Sequence, residues 1–207
     1  SLIALKKDNL KARLAFSTIG QLSYIVLGIA ILSPLSTAGA LYHLVAHAFM
    51  KITLFMCAGA IFVTTHKKDI SEMVGLGRRM PVTMSAFTIA SLGIAGFPFF
   101  VGFVSKANII MGALKTGQLL FGATLIVSAV LALTYLMPVV LITFKREPVN
   151  PEFNAYGEAS KTMLAPLLIT ATVSVILGVA PNFGLHLLDL AMSTGEAVFA
   201  HVGGVIC

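Results

Sequence analysis

The chain has 207 residues, of which 57% are apolar and only 11% charged, and its mean hydropathy is +0.96. A water-soluble domain carries about 25% charged residues, so a soluble fold is excluded. Lys and Arg outnumber Asp and Glu by 14 to 8, but they collect in short stretches between apolar runs, the positive-inside pattern of a membrane protein rather than a nucleic-acid-binding surface.

Ser1 opens in the tail of an apolar stretch, 1–5, with no signal peptide. This reads as the C-terminal part of a longer polypeptide, or as one half of a split subunit. A helix of about 20 apolar residues crosses the hydrocarbon core, and on that measure about five crossings follow. The first is expected over residues 14–32, closing at Ser33-Pro34. Its polar residues, Ser17, Thr18, Gln21 and Tyr24, either hold water or bond helix to helix. The second, 36–65, is long enough to tilt. A charged loop, 66–79, separates it from Pro81, which suits a first helical turn.

The third segment, 82–115, exceeds one straight crossing and carries Gly93, Gly96, Pro98 and Gly102 at its middle. Proline removes a backbone donor and glycine loosens a helix, so a break is expected around 96–102. Unwound backbone at membrane depth is tolerated only against protein or a water-filled cavity. The fourth crossing is expected over 118–144, with Pro138 as a kink, and the fifth over 162–179, stopped by Pro181. The tail, 183–199, sets His186, Asp189 and Glu196 among apolar residues and reads as an amphipathic helix lying along the interface. The fold class is all-α: a polytopic transmembrane helix bundle with one discontinuous helix, forming a single membrane domain over 1–207.

Lys6, Lys7, Lys11 and Arg13 precede the first crossing, Lys67, Lys68, Arg78 and Arg79 follow the second, and Lys145, Arg146 and Lys161 follow the fourth. With the broken segment counted as one crossing, all three basic loops share one face, the cytoplasmic one, and the C-terminus lies outside. The carboxylates Asp69, Glu72, Glu147, Glu152 and Glu158 fall in loops and read as solvated. Cys57 and Cys207 fall at different depths, so no disulfide is expected.

Three lysines carry chemical interest. Lys51 lies deep inside an apolar run, and His43, His47 and Lys51 recur every four residues, which puts them on one helix face. A charge near the bilayer centre costs roughly 2.5–3.5 kcal/mol on insertion scales, so an ionisable stripe kept there is by default a functional site. Burial disfavours a charged amine, and such a lysine exchanges its proton when a neighbouring charge or water chain appears. Histidines stacked one turn apart can relay it. The competing reading has the histidines bonding neighbouring helices and Lys51 snorkelling outward, but Lys51 is far from either end of its run. A zinc or haem site at His43 and His47 lacks an intervening Glu, and Lys51 would oppose a cation. Lys106 follows the break and begins the second half of the broken helix, where the helix N-terminus is unfavourable to a cation. Lys11 sits nearer the surface, as an orientation charge first and a proton-transfer residue second. No metal ligand set, cofactor motif or catalytic constellation is present in the sequence.

These stretches resemble a known family. Lys11-Ala12-Arg13-Leu14-Ala15-Phe16-Ser17-Thr18-Ile19-Gly20-Gln21 resembles the "KxxLAYSTISQ" stretch of antiporter-like membrane subunits. His43-Leu44-Val45-Ala46-His47-Ala48-Phe49-Met50-Lys51 is similar to their "HLxxHAFFK" helix, and Gly96-Phe97-Pro98 with Gly102-Phe103-Val104-Ser105-Lys106 to their "GxP…GFxSK" broken helix. The family comprises large subunits of multi-subunit sodium/proton antiporters, pumping subunits of NADH:quinone oxidoreductase and those of membrane-bound hydrogenases. Its members are built from inverted five-helix repeats, each with one discontinuous helix.

The resemblance implies that this chain is the second repeat plus the final helix. Lys51 becomes the central-axis lysine, Lys106 the lysine of the broken helix near the exit side, and His43 and His47 the relay between them. Lys11 falls on a family polar position. Phe16, Gly20 and Met50 depart from the usual Tyr, Ser and Phe. Lys106 in place of Glu, and no long lateral helix after the last crossing, tilt the reading towards a D-type antiporter subunit or a hydrogenase counterpart. The expected function is proton, or cation/proton, translocation within a multi-subunit complex of a prokaryotic inner membrane. Its expected partners are the other subunits, including the missing N-terminal half, and the lipid bilayer, with no nucleic acid. The alternative is a structural scaffold of the same complex, and any redox chemistry would sit in partner subunits.

Overall fold

The computed structural model describes residues 1–145 and 157–203, the last three by backbone alone. Arg146, Glu147, Glu152 and Cys207 lie outside the described residues. Among those described, the chain forms α1 (Leu2–Lys6), α2 (Leu10–Ala30), α3 (Pro34–Thr65), α4 (Pro81–Ala95), α5 (Val101–Lys115), α6 (Leu119–Thr143), α7 (Lys161–Val179) and α8 (Leu187–Gly203). Helices α2, α3, α6 and α7 are long and apolar enough to span a bilayer, and α4 is a shorter apolar helix. The fold is an all-α membrane bundle.

Local chemistry sets the element ends. Asn9 accepts from the Ala12 amide at 3.1 Å and starts α2 four residues earlier than the apolar run suggests. Pro34 and Pro81 occupy the first turns of α3 and α4, where a missing N–H costs nothing. The start of α2 is tied to the loop after α3, with the Leu10 amide donating to Lys68 O at 3.0 Å and the Ile70 amide to Asp8 O at 3.0 Å.

Helix α3 is the axis, packed against α2, α4, α5, α7 and α8. Small residues let its neighbours approach closely. A Cβ on Gly39 would lie 2.8 Å from the Ile109 amide, one on Gly112 would lie 2.6 Å from the Ser36 Cβ, and one on Gly28 would lie 2.8 Å from the Ala40 Cβ. On the far side, Tyr42 donates to Leu177 O at 2.8 Å and Thr53 to the Thr170 hydroxyl at 2.8 Å, so α7 also runs antiparallel to α3.

Contacts along α3 show how the broken segment crosses. Cys57 meets Thr83 near the start of α4, Met50 packs against both Gly93 and Gly102, His43 meets Ser105, and Ser36 meets Gly112. The two halves therefore follow α3 end to end as one interrupted crossing. The break spans 96–100 and is written in the local grammar. Gly96 sits at φ 86, its amide donates to Gly93 O at 3.0 Å, and the Phe97 amide donates to Leu92 O at 3.0 Å. That is a Schellman stop, and Pro98 behind it forbids continuation. Gly102, expected within the break, lies instead in the first turn of α5. It is needed there because a Cβ would collide with Gly93 O. Gly178, near the end of α7, closes the other side, where a Cβ would strike the Phe99 carbonyl and lie 2.5 Å from the Phe100 Cα.

The expected amphipathic tail forms α8. Its Ala191 is buried, and Gly195 packs so closely on α3 that a Cβ would lie 2.5 Å from Pro34 O. It is docked on the bundle through these two small residues.

Candidate functional site

Lys51 occupies the middle of α3 and is 5% exposed. Its ammonium donates to Leu14 O at 3.0 Å and to the Ser17 hydroxyl at 2.7 Å, both on α2. It therefore turns inward to the neighbouring helix rather than snorkelling. The Ser17 oxygen also lies within hydrogen-bond reach of the Tyr135 hydroxyl of α6, 2.9 Å away.

His47 and His43 continue the face one and two turns towards the start of α3, with ring centroids 6.1 Å apart. Both are buried. Ser105 of α5 donates to Gly102 O at 3.0 Å and lies 2.8 Å from His43 Nδ1. The Ser105 hydroxyl and His43 Nδ1 therefore share one hydrogen bond, whose donor follows the ring tautomer. His43 Nε2 and His47 Nε2 are buried without a hydrogen-bond partner among the described residues.

Lys106, also 5% exposed, lies beyond His43. Its ammonium stands 4.7 Å over the Tyr24 ring, which packs on His43 at 5.7 Å between centroids, and it donates to Ile94 O. The sequence placed this cation beside the N-terminus of α5. The side chain instead reaches across the break to the last turn of α4, whose exposed carbonyls form the negative end of a helix dipole and suit an ammonium. Gly96 makes room for it, since a Cβ there would lie 3.0 Å from the Lys106 Cδ.

The arrangement is two buried amines bracketing two stacked imidazoles, walled on the α2 side by Ser17, Gln21 and Tyr24. Lys51, His47, His43 and Lys106 come together. Lys11 does not: it is exposed at the start of α2, its ammonium 4.7 Å over the Phe62 ring, beside Lys68 over the same ring at 5.4 Å. Three contributors escaped the sequence reading. Tyr135 stands in an apolar run with no periodic partner. Ser105 carries no signal beyond its place in the motif. Arg13 reads in sequence as an orientation charge, yet it is buried and donates to Lys7 O at 2.8 Å and Tyr135 O at 3.0 Å.

Fold and site together define an integral membrane protein with a discontinuous helix crossing beside a buried row of basic side chains. The family described as NADH:quinone oxidoreductase/Mrp antiporter, TM, matches residues 1–145. This chain belongs to that family. It is 34% identical to NADH-quinone oxidoreductase subunit N of Desulforudis audaxviator over 86% of its own length and 38% of the relative's. It is 39% identical to NADH-quinone oxidoreductase subunit L of Mycobacterium tuberculosis over 86% of its length and 29% of that protein's. It thus spans well under half of these curated relatives. Among solved structures, the Mrp complex from Dietzia sp. DQ12-45-1b has a chain of the same fold, with a TM-score of 0.85 at 23% identity, covering 99% of this chain and 46% of that one.

Proposed function

We propose that this chain is the second repeat and last helix of an antiporter-like subunit, and that it carries protons, or protons against a cation, through a multi-subunit complex in a prokaryotic inner membrane. Lys51 takes a proton from the preceding repeat, His47 and His43 pass it on, and Lys106 hands it over for release. Coupling is electrostatic, each charge biasing the protonation of the next. One observation carries this reading: the amines of Lys51 and Lys106 are both buried, and the neighbouring rings of His47 and His43 lie along the same face. The relatives support it by their names, NADH-quinone oxidoreductase subunits and an Mrp complex. Departure from Glu at Lys106 favours a D-type or hydrogenase-type place in the family.

A scaffold reading has its own support, because the Lys51 ammonium bonds α3 to α2 and the Lys106 ammonium bonds α5 to α4. Lys51→Met and Lys106→Ala in the intact complex separate the two. Translocation predicts normal recovery of the complex on native gels and loss of vesicle proton or cation transport. The scaffold predicts poor recovery with unchanged transport per complex, and that outcome would remove both lysines from the path.

A further inference from the structure

We propose that Tyr135 is a positioning residue for Lys51: with Ser17 and Gln21 it forms a hydrogen-bond chain whose direction reverses with the charge on the Lys51 amine. The inference rests on the transport reading above and deepens it.

Ser17, Gln21 and Tyr135 are at most 1% exposed, so each polar atom depends on protein partners. The Ser17 oxygen lies 2.7 Å from Lys51 Nζ and 2.9 Å from the Tyr135 hydroxyl. One turn along α2, Gln21 lies beside that same hydroxyl, and its Oε1 is buried with no hydrogen-bond partner. Tyr135 cannot drift from this position, because Arg13 clamps its backbone carbonyl at 3.0 Å and is itself held by Lys7 O at 2.8 Å.

A Ser17 oxygen that accepted from both neighbours would leave its own hydrogen without a partner; two arrangements avoid this. When Lys51 is an ammonium it donates to Ser17, Ser17 turns its hydrogen to Tyr135, and Tyr135 turns its own to Gln21 Oε1. When Lys51 is neutral its lone pair needs a donor, so Ser17 points back at it, Tyr135 donates to Ser17, and the Gln21 amide nitrogen donates to Tyr135. A carboxamide ends such a chain in either direction because it holds both a donor and an acceptor. No proton changes heavy atom in this reversal; only rotors turn. The result is that Lys51 finds a buried partner in both of its protonation states, as an amine that charges and discharges each cycle requires.

The test is a double-mutant cycle in the assembled complex, reconstituted in vesicles, with complex recovery measured alongside transport. Tyr135→Phe and Ser17→Ala are each expected to slow transport about tenfold, roughly what one buried hydrogen bond is worth. The double variant should be no slower than the slower single one, because a chain broken once is already broken. Ser17→Thr, which keeps a hydroxyl, should restore the rate to within about threefold of the parent. Tyr135→Phe at the parental rate, or losses that multiply in the double variant, would overturn the inference. If Tyr135→Phe fails to assemble, Gln21→Leu decides, since Gln21 reaches Lys51 only through Tyr135 and Ser17: an assembled but slowed complex supports the chain, and the parental rate overturns it. Transport surviving Lys51→Met sinks the transport reading itself, whereas Lys51→Met inactive beside a fully active Tyr135→Phe sinks only this inference.

Discussion

Ser105 has one hydrogen and two neighbours within reach of its oxygen, Gly102 O at 3.0 Å and His43 Nδ1 at 2.8 Å. Its hydroxyl is the hydrogen-bond partner of His43 Nδ1, while His43 Nε2 is buried without one among the described residues. Ser105→Ala removes that partner. The expected result is transport slowed about tenfold with the complex still assembled, since a buried ring nitrogen is left unpaired with little loss of packing volume; vesicle transport normalised to recovered complex measures it. At this scale the sequence revealed what is rare and hid what is shared. A lysine in an apolar run is conspicuous by its cost, and histidines at four-residue spacing give it a direction. Tyr135 and Arg13 gave no such signal, because a tyrosine suits any apolar helix and an arginine before a crossing looks like an anchor. Their roles come from residues more than a hundred positions away.

The broken crossing belongs to the element scale, and its first boundary was legible because helix endings are local chemistry. A glycine followed two residues later by proline ends α4 in a Schellman stop, and the structure puts Gly96 at φ 86. Gly96→Ala should therefore do two things. The left-handed backbone costs an L-residue about 1–2 kcal/mol, and the new methyl would press on the Lys106 Cδ, 3.0 Å away. The complex should melt several degrees lower in detergent and lose more transport than stability, because the strain falls on the seat of Lys106; equal transport per folded complex would refute that coupling. The second boundary was not legible. Gly102 looked like part of the break, but what it satisfies is the close passage of Gly93 O, a contact between halves that spacing does not encode. Phe99 at φ 72, backed by Gly178 of α7, likewise shows the break being held from outside its own sequence.

At the scale of the molecule, the two ends of α4 are held by different partners. Its C-terminal end receives the Lys106 ammonium at Ile94 O. Its N-terminal end is capped from the lead-in to α7, where Glu158 accepts from the Val82 amide at 2.8 Å and the Thr83 hydroxyl at 2.6 Å. Glu158 reads in sequence as one more solvated loop carboxylate, because a cap supplied from 75 residues away leaves no trace in the α4 stretch itself. Placed there, its charge answers the positive end of the α4 dipole and satisfies an orphan amide. Glu158→Ala should cost about 0.5–2 kcal/mol, as the loss of an N-cap does, while Glu158→Gln, which keeps an acceptor oxygen, should cost less. Thermal unfolding of the complex in detergent gives the ranking, and equal midpoints for all three proteins would show that α4 needs no cap from α7. Should α4 act as a rigid half-helix, the Ala variant should also slow transport even though Glu158 touches none of Lys51, His47, His43 or Lys106. A slowed Ala variant beside a near-normal Gln variant would tie the position of Lys106 to a bond made at the opposite end of α4.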